Sequence, residues 1–353
     1  MGRRRIFVVA GPRSAAAGAG VFEAWRAAQL SVHVCDWVDR EPDIALFARV
    51  LAAAREFRPD AVVGFGGGSP LDVAKLVGAL LHSAQRVEDA FGIGRLQGRG
   101  IDVVCIATTA GTGSEVSPNA ILLDEREKLK KGVVSPFLVP AVAILDPQLT
   151  IAVPPSVTAA TGLDALVHCM EAYANKFAHP AVDVYALEGI RRIAANIEPA
   201  VKDGNDLAAR ANLMLGALYG GLCLGPVNTA AVHALSYPLG GEFHVAHGVA
   251  NSLLMPHVFQ FNLPAAPQRY AEIATALGVT DAASELATAE AGVRRLAELS
   301  AACGIPARLR DVGVAESDLP RLAREAMKVT RLLKNNPREV TVEAAEEIYR
   351  RAF

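Results

Sequence analysis

Cysteine is scarce and unpatterned: Cys35, Cys105, Cys169, Cys223 and Cys303 are the only five in 353 residues. An odd, scattered set excludes a disulfide framework and points to reduced thiols in a cytoplasm. Long apolar runs are also missing. The chain is 52% hydrophobic with a mean hydropathy of +0.27, yet no window approaches the roughly 18 consecutive apolar residues of a membrane span, so the surplus is assigned to a globular core. The basic start MGRRRIFVVA leads into an apolar run too short for a signal peptide. A strong basic field is absent as well: the net charge is -2, the pI is near 6.5, and Arg3-Arg4-Arg5 is the only basic run longer than two. Nucleic acid and anionic membranes are thereby excluded as expected partners, leaving a small molecule. Neither internal repeats nor low-complexity linkers are found, and the length suits two domains.

What is present divides near residues 150–155. Before that point short apolar runs alternate with helix-like segments: Ile6-Phe7-Val8-Val9, Val32-His33-Val34, Ala61 to Phe65, Val103 to Ile106 and Val142 to Leu145 are separated by stretches such as Ile44 to Phe57 and Pro70 to His82. Strands that are apolar on both faces belong in a mostly parallel sheet covered by helices. After Pro154-Pro155 strand-like runs nearly vanish, and Ser156 to Ala174, Val182 to Ile197, Asp206 to Leu224 and Leu286 to Cys303 read as helices. The expectation is an α/β domain over 1–153 and an all-α domain over 154–353.

Two glycine-rich loops follow strands in the first half. GFGGGSPLDVAK, Gly64 to Lys75, places Gly66, Gly67 and Gly68 before a helix N-terminus, where unobstructed N–H groups and the helix dipole suit a pyrophosphate. A tight strand-to-helix turn without a ligand would use glycine in the same way. ATTAGTGSEVSPN, Ala107 to Asn119, adds the hydroxyls of Thr108, Thr109, Thr112 and Ser114. Two polar loops at strand ends of one parallel sheet converge where such sheets bind ligands, although no G-x-G-x-x-G fingerprint opens the first turn.

The second half concentrates histidine. Of eight in the chain, three lie between His233 and His247, in HALSYPLGGEFHVAHG. The Pro-Leu-Gly-Gly stretch is expected to bend the chain back so that His233 and His247 meet. Two ligands hold a divalent ion poorly. PSVTAATGLDALVHCMEAYAN supplies two more, Asp164 and His168, four apart on one helix face. Three nitrogens and one carboxylate suit Fe(II) or Zn(II) without choosing between them. His244 is either a group facing the site or a loop histidine in solvent.

GGGSPLDVAK, ATTAGTGSEVSP, TGLDALVHCMEAY, the H-x13-H pair ending in HGVAN, and KNNPREVT together resemble the group III, iron-dependent alcohol dehydrogenases, relatives of maleylacetate reductases and glycerol dehydrogenase. The resemblance covers almost the whole chain. It implies a dinucleotide-binding domain, a helical metal domain and hydride exchange between NAD or NADP and an alcohol, aldehyde or oxo acid in a cytoplasmic homodimer. It further implies that Gly67, Gly68 and Ser69 hold the pyrophosphate with Asp72 close by, that Thr108, Thr109, Thr112 and Ser117 line the cofactor, and that Lys130 reaches a ribose. Asn119 falls near the nicotinamide and substrate, and Asp164, His168, His233 and His247 match the metal ligands.

Departures from the family pattern are Tyr237, where many relatives place a second histidine used in proton relay, Leu332 beside Arg331 in the pocket lining, and a start almost on the first strand, which is expected to leave a sheet edge without its usual cover. With Tyr237 there, the relay is expected to run through its hydroxyl, His244 or water. Gly11 leaves the end of the first strand uncharged. Arg13 and Ser14 could then donate to a 2′-phosphate, with Asp36 the alternative acceptor for a ribose, so NADPH is expected to be accepted alongside NADH. A maleylacetate-type reductase is the nearest alternative, disfavoured by the carboxylate Asp164 although Arg331 could hold a substrate carboxylate. A dehydroquinate-synthase-like lyase would need a crowd of Lys and Arg around the histidines that the sequence does not show. His33, His82 and His179 lie outside all motifs and are expected to be silent in catalysis.

Overall fold

The computed structural model describes residues 2–127, 129–280 and 283–353. By its contacts the chain divides into Met1–Thr109 with Gly113–Thr150, and Ala110–Thr112 with Ile151–Phe353. The three-residue excursion 110–112, inside the second glycine-rich loop, therefore packs with the helical unit.

The first unit holds β1 (Arg5–Ala10), α1 (Pro12–Ala17), α2 (Ala19–Ala27), β2 (Ser31–Cys35), α3 (Ile44–Phe57), β3 (Ala61–Gly66), α4 (Gly68–Leu80), α5 (Val87–Ala90), β4 (Gly92–Ile93), β5 (Val103–Ala107), β6 (Asn119–Asp124), β7 (Leu129–Val134) and β8 (Val142–Leu145). Five strands form one parallel sheet in the order β2-β1-β3-β5-β8. All six β3 residues are buried, as the apolar run AVVGFG requires of a central strand covered on both faces. The opening strand β1 is interior, and the edges are β2 and β8. Strand order reverses between β1 and β3, the switch point at which doubly wound sheets take ligands beyond their carboxyl ends. The loops after these strands carry Gly11 and Gly66–Ser69. A second sheet, β4-β7-β6, contains the antiparallel pair β6–β7. Its mixed sequence LKKGVV lacks the apolar signature of the five main strands.

The second unit is helical: α6 (Pro155–Tyr173), α7 (Pro180–Lys202), α8 (Leu207–Leu224), α9 (Ala231–Phe243), α10 (His247–Asn262), α11 (Pro267–Ala276), α12 (Glu285–Ala302), α13 (Leu319–Ala326), α14 (Thr330–Leu333) and α15 (Val342–Arg351). Helix α6 is buried almost throughout from Thr158 to Tyr173 and packs against α7, α8 and α10. Helix α8 alone, among the described residues, is long and apolar enough to meet a membrane-span criterion, with 18 residues and a hydropathy of 1.3. It packs against α6 and α7 and carries the buried Arg210 in its first turn, as a core helix does. All five cysteines are unpaired and buried.

One expected bend lies elsewhere. Pro238, Gly240 and Gly241 sit inside α9, and the chain turns after them at His244, whose left-handed backbone (φ 55°, ψ 26°) caps the helix. Burial on the core side holds α9 through residues of poor helix propensity.

Candidate metal centre and dinucleotide loops

Helix α6 carries its few polar side chains into the core, where an unpaired carboxylate would cost several kcal/mol on the order of magnitude usual for buried ions. Asp164 is 3% exposed and His168 5% exposed. From α9 and the start of α10, His233 and His247 meet them. Asp164, His233 and His247 each offer one ligand atom, and these atoms lie within 4.8 Å of one another. Asp164 Oδ1 is 3.6 Å from His233 Nε2 and 3.7 Å from His247 Nε2, while Asp164 Oδ2 is 3.9 Å from His168 Nε2. The His168 ring stacks on that of His233 at 4.9 Å, and His233 meets His247 edge-on at 5.3 Å.

These separations exceed a hydrogen bond. They are close to the roughly 3.4 Å edge of a tetrahedron with metal–ligand bonds of about 2.1 Å. His233 Nε2 is buried with no hydrogen-bond partner among the described residues, and its other nitrogen, Nδ1, donates to Glu171 Oε2 at 2.6 Å. The unprotonated Nε2 lone pair is thus directed to the same place as Asp164. The donor set of three imidazoles and one carboxylate fits iron or zinc. Burial alone pushes the Asp164 carboxyl up, but His168, His247, His233 and the Asn251 amide outweigh it and hold it at about 2. Burial lowers His168, favouring the neutral imidazole a metal needs. The His247 side chain is 34% exposed against 4% for Asp164, so the cluster is reached from the His247 side.

Two further groups complete the cluster. Glu171, 8% exposed, accepts from Ala230 N–H at 2.9 Å and Val232 N–H at 2.6 Å besides His233. Asn251 Nδ2 donates to Asp164 Oδ1 at 2.6 Å and lies 3.2 Å from His247 Nε2. Both were missed in the sequence, although Glu171 is seven residues after Asp164, and Asn251 four after His247, on the ligands' own helix faces.

Tyr237 is at the site: its ring is 6.0 Å from that of His247. Burial pushes its phenol up, and the neighbouring Arg331 guanidinium opposes this. His244 is exposed and caps α9 on a left-handed backbone at the turn into α10.

In the first unit the two glycine-rich loops are tied into one body. Gly66 takes φ +153°, and a Cβ there would meet Pro70 Cγ at 2.8 Å; Gly67, where a Cβ would lie 3.2 Å from Thr109 Oγ1, caps α4. Gly68 and Ser69 form the first turn of α4, and the backbone of buried Thr108 donates to Gly66 O. The buried Lys75 ammonium donates to Ser114 O at 2.9 Å, Ser117 O at 3.2 Å, Ser117 Oγ at 3.4 Å and Asn119 O. Asp72 accepts from Ser114 Oγ–H and from Ile121 N–H at 2.9 Å, and pairs with Lys75 at 3.4 Å. Asp72 and Ser117 thus strap the second loop to α4. Lys130 pairs with Glu41, 2.6 Å away. Asn119 Oδ1 is buried without a partner among the described residues. Thr112 belongs with the helical unit, where a Cβ on its neighbour Gly111 would lie 2.7 Å from Thr161 Cβ.

The three histidines expected to be silent have structural employment or exposure. His33 stacks on Phe7 at 5.2 Å, His179 Nδ1 accepts from Ala181 N–H at the start of α7, and His82 is exposed. Replacing any of the three by Gln is expected to leave turnover within a few-fold of the parent, and a collapse at one would place it in the chemistry.

Comparison with known proteins follows the same division. Residues 1–147 match the model of the iron-containing alcohol dehydrogenases, and 158–353 that of the Fe-containing alcohol dehydrogenase family, C-terminal. The chain is 40% identical over 330 residues to 1,3-propanediol dehydrogenase of Citrobacter freundii, covering 93% of this chain and 85% of that one. It superposes on a crystal structure of 1,3-propanediol oxidoreductase with a TM-score of 0.96 at 36% identity, covering 100% of this chain and 93% of the other. Sulfoacetaldehyde reductase from Bifidobacterium kashiwanohense, solved in complex with NAD+, gives a TM-score of 0.90 at 27% identity, covering 100% and 92%. With both halves matched in order and the metal donors assembled, the chain belongs to the iron-containing alcohol dehydrogenase family, metal-dependent oxidoreductases acting on CH–OH groups.

Proposed function

We propose that the chain interconverts a small alcohol and its carbonyl compound, with a nicotinamide dinucleotide on the β3–α4 and β5–β6 loops and one iron or zinc ion on Asp164, His168, His233 and His247. The convergence of Asp164, His233 and His247, with the unpartnered His233 Nε2 among them, carries the reading, and His168 joins it through Asp164 Oδ2, 3.9 Å from its Nε2. When bound, the metal supplies a Lewis acid for the substrate oxygen and the nicotinamide supplies or accepts the hydride. The chain's own part is to hold Asp164 ionised, to favour neutral His168 through burial, and to offer the Tyr237 hydroxyl as a proton-holding group beside His247. Asn119 Oδ1 is the kind of buried acceptor that a carboxamide N–H satisfies. The reading includes a homodimer in a reducing, cytoplasmic compartment, with which five buried thiols are compatible. A panel of primary alcohols, diols and aldehydes assayed with both dinucleotides tests it; reaction with no member of the panel would overturn it.

Arg331, against Tyr237, favours a second reading of the substrate as an aldehyde bearing a carboxylate or sulfonate. The likeness to a sulfoacetaldehyde reductase agrees with it. A charged aldehyde should then exceed its neutral isostere in kcat/KM, and the opposite order would reject this reading.

The dinucleotide choice rests on the first turn. A Cβ on Gly11 would lie 2.6 Å from Val38 O, so an acidic residue at 11 collides with backbone. Ser14 Oγ is engaged with Gly11 N and O at 3.0 and 3.1 Å. Arg13 is exposed and remains the group able to meet a 2′-phosphate. NADPH should be accepted beside NADH, and Arg13→Glu should move the kcat/KM ratio toward NADH by about tenfold through like-charge repulsion; an unchanged ratio removes Arg13 from the choice.

A further inference from the structure

We propose that Glu171 is the positioning residue of the metal centre, a role that rests on the metal assignment above. Its carboxylate joins two helices. Its own helix, α6, carries Asp164 and His168; the N–H groups it accepts, Ala230 and Val232, open α9, which carries His233 and Tyr237. The same carboxylate takes the His233 Nδ1 proton at 2.6 Å. An imidazole that donates from Nδ1 has its lone pair on Nε2, the atom facing Asp164 at 3.6 Å. One side chain thereby caps α9, sets its distance from α6 and selects the ligating tautomer of His233.

Among the described residues lining the adjacent cavity, no other carboxylate is present. A cavity of about 20 Å³ lies beside Glu171, room for one water, and its polar wall includes Asn262 and Asn336. Those two amides already bond each other reciprocally at 2.8 and 2.6 Å. In Glu171→Gln either flip of the amide sets its NH2 against a donor, Val232 N–H in one and Ala230 N–H in the other. In both, His233 Nδ1–H loses its charged acceptor, and the preference for a lone pair on Nε2 weakens.

The test is metal affinity rather than turnover alone. Chelator-stripped parent and E171Q are titrated with Zn(II) and Fe(II) against a chromophoric competitor, with NAD+ affinity and Tm measured on the stripped proteins. E171Q should bind either ion about 10- to 100-fold more weakly, keep NAD+ affinity within about twofold, and regain most of its kcat at saturating metal. Equal metal affinity in the two proteins overturns the positioning role alone, as does a loss that saturating metal does not reverse. A parent that binds neither ion overturns the metal assignment beneath it. Should E171Q fail to fold, nitrogen NMR of the zinc-loaded parent, with His233 assigned by comparison with His233→Gln, decides the matter: Nδ1 protonation supports the role and Nε2 protonation overturns it.

Discussion

His247→Ala should lose metal and turnover together while NAD+ still binds. His247 supplies one of the three donors grouped around the Asp164 carboxylate, and it is the one on the open side. Deleting it removes the donor that α10 supplies, and the buried donors on α6 and α9 cannot take its place. Orienting partners are themselves worth about 10- to 100-fold in metal affinity, so loss of a direct donor should cost at least about 100-fold. Asp164 then faces two imidazoles instead of three, and stability in the metal-free state should fall only modestly because His247 is partly exposed. Apart from Ala110–Thr112, the two glycine-rich loops belong to the other unit and carry their own Lys75 and Asp72 straps. Metal analysis, turnover and NAD+ titration on one preparation check this. A metal-free His247→Ala protein with full turnover would remove the centre from the chemistry.

Gly248→Ala should be as damaging to the centre without touching a donor. A Cβ at 248 would sit 2.1 Å from Ala160 O and 2.6 Å from Ala160 C, and both are backbone atoms of α6 that no rotamer can move. Two effects compete. Alanine is favoured over glycine in a helix by about 1 kcal/mol, whereas overpacking costs about 1–3 kcal/mol or more. Because the obstacle is backbone, the clash should win, pushing the first turn of α10 away from α6. His247 precedes Gly248 directly, so the 3.7 Å separation from Asp164 should lengthen. The expected result is a Tm several degrees lower and metal affinity reduced at least tenfold. A raised Tm with unchanged metal affinity would show that α10 accommodates the methyl group without moving.

The parts of the site legible in the sequence were those with a period. Asp164 and His168 stand one helical turn apart, and the apolar runs of β1, β2, β3, β5 and β8 read as buried parallel strands because both faces are covered. The glycine loops announced themselves through residues that only a close approach or an unusual φ requires, as at Gly66. What escaped was set by tertiary contact. Glu171 looks like an ordinary helix charge until α9 brings His233 and two N–H groups to it. Lys75 looks like the end of a phosphate motif, but the folded chain buries it as a clamp on three carbonyls. The bend between the histidines was placed at Pro238 and the glycines because their local propensities favour a turn. Packing of α9 kept them helical and moved the reversal to His244.

Metal reconstitution of the parent chain tests the central claim most directly. Protein stripped with chelator, then returned stepwise Fe(II) or Zn(II), is assayed for NAD+-linked oxidation of a primary alcohol such as 1,3-propanediol. Activity should be absent without metal and rise linearly to a plateau at one ion per chain, with Asp164→Asn failing to respond at the same concentrations. Undiminished oxidation by the stripped protein, or a plateau unaffected by Asp164→Asn, would contradict a catalytic ion held by Asp164, His168, His233 and His247.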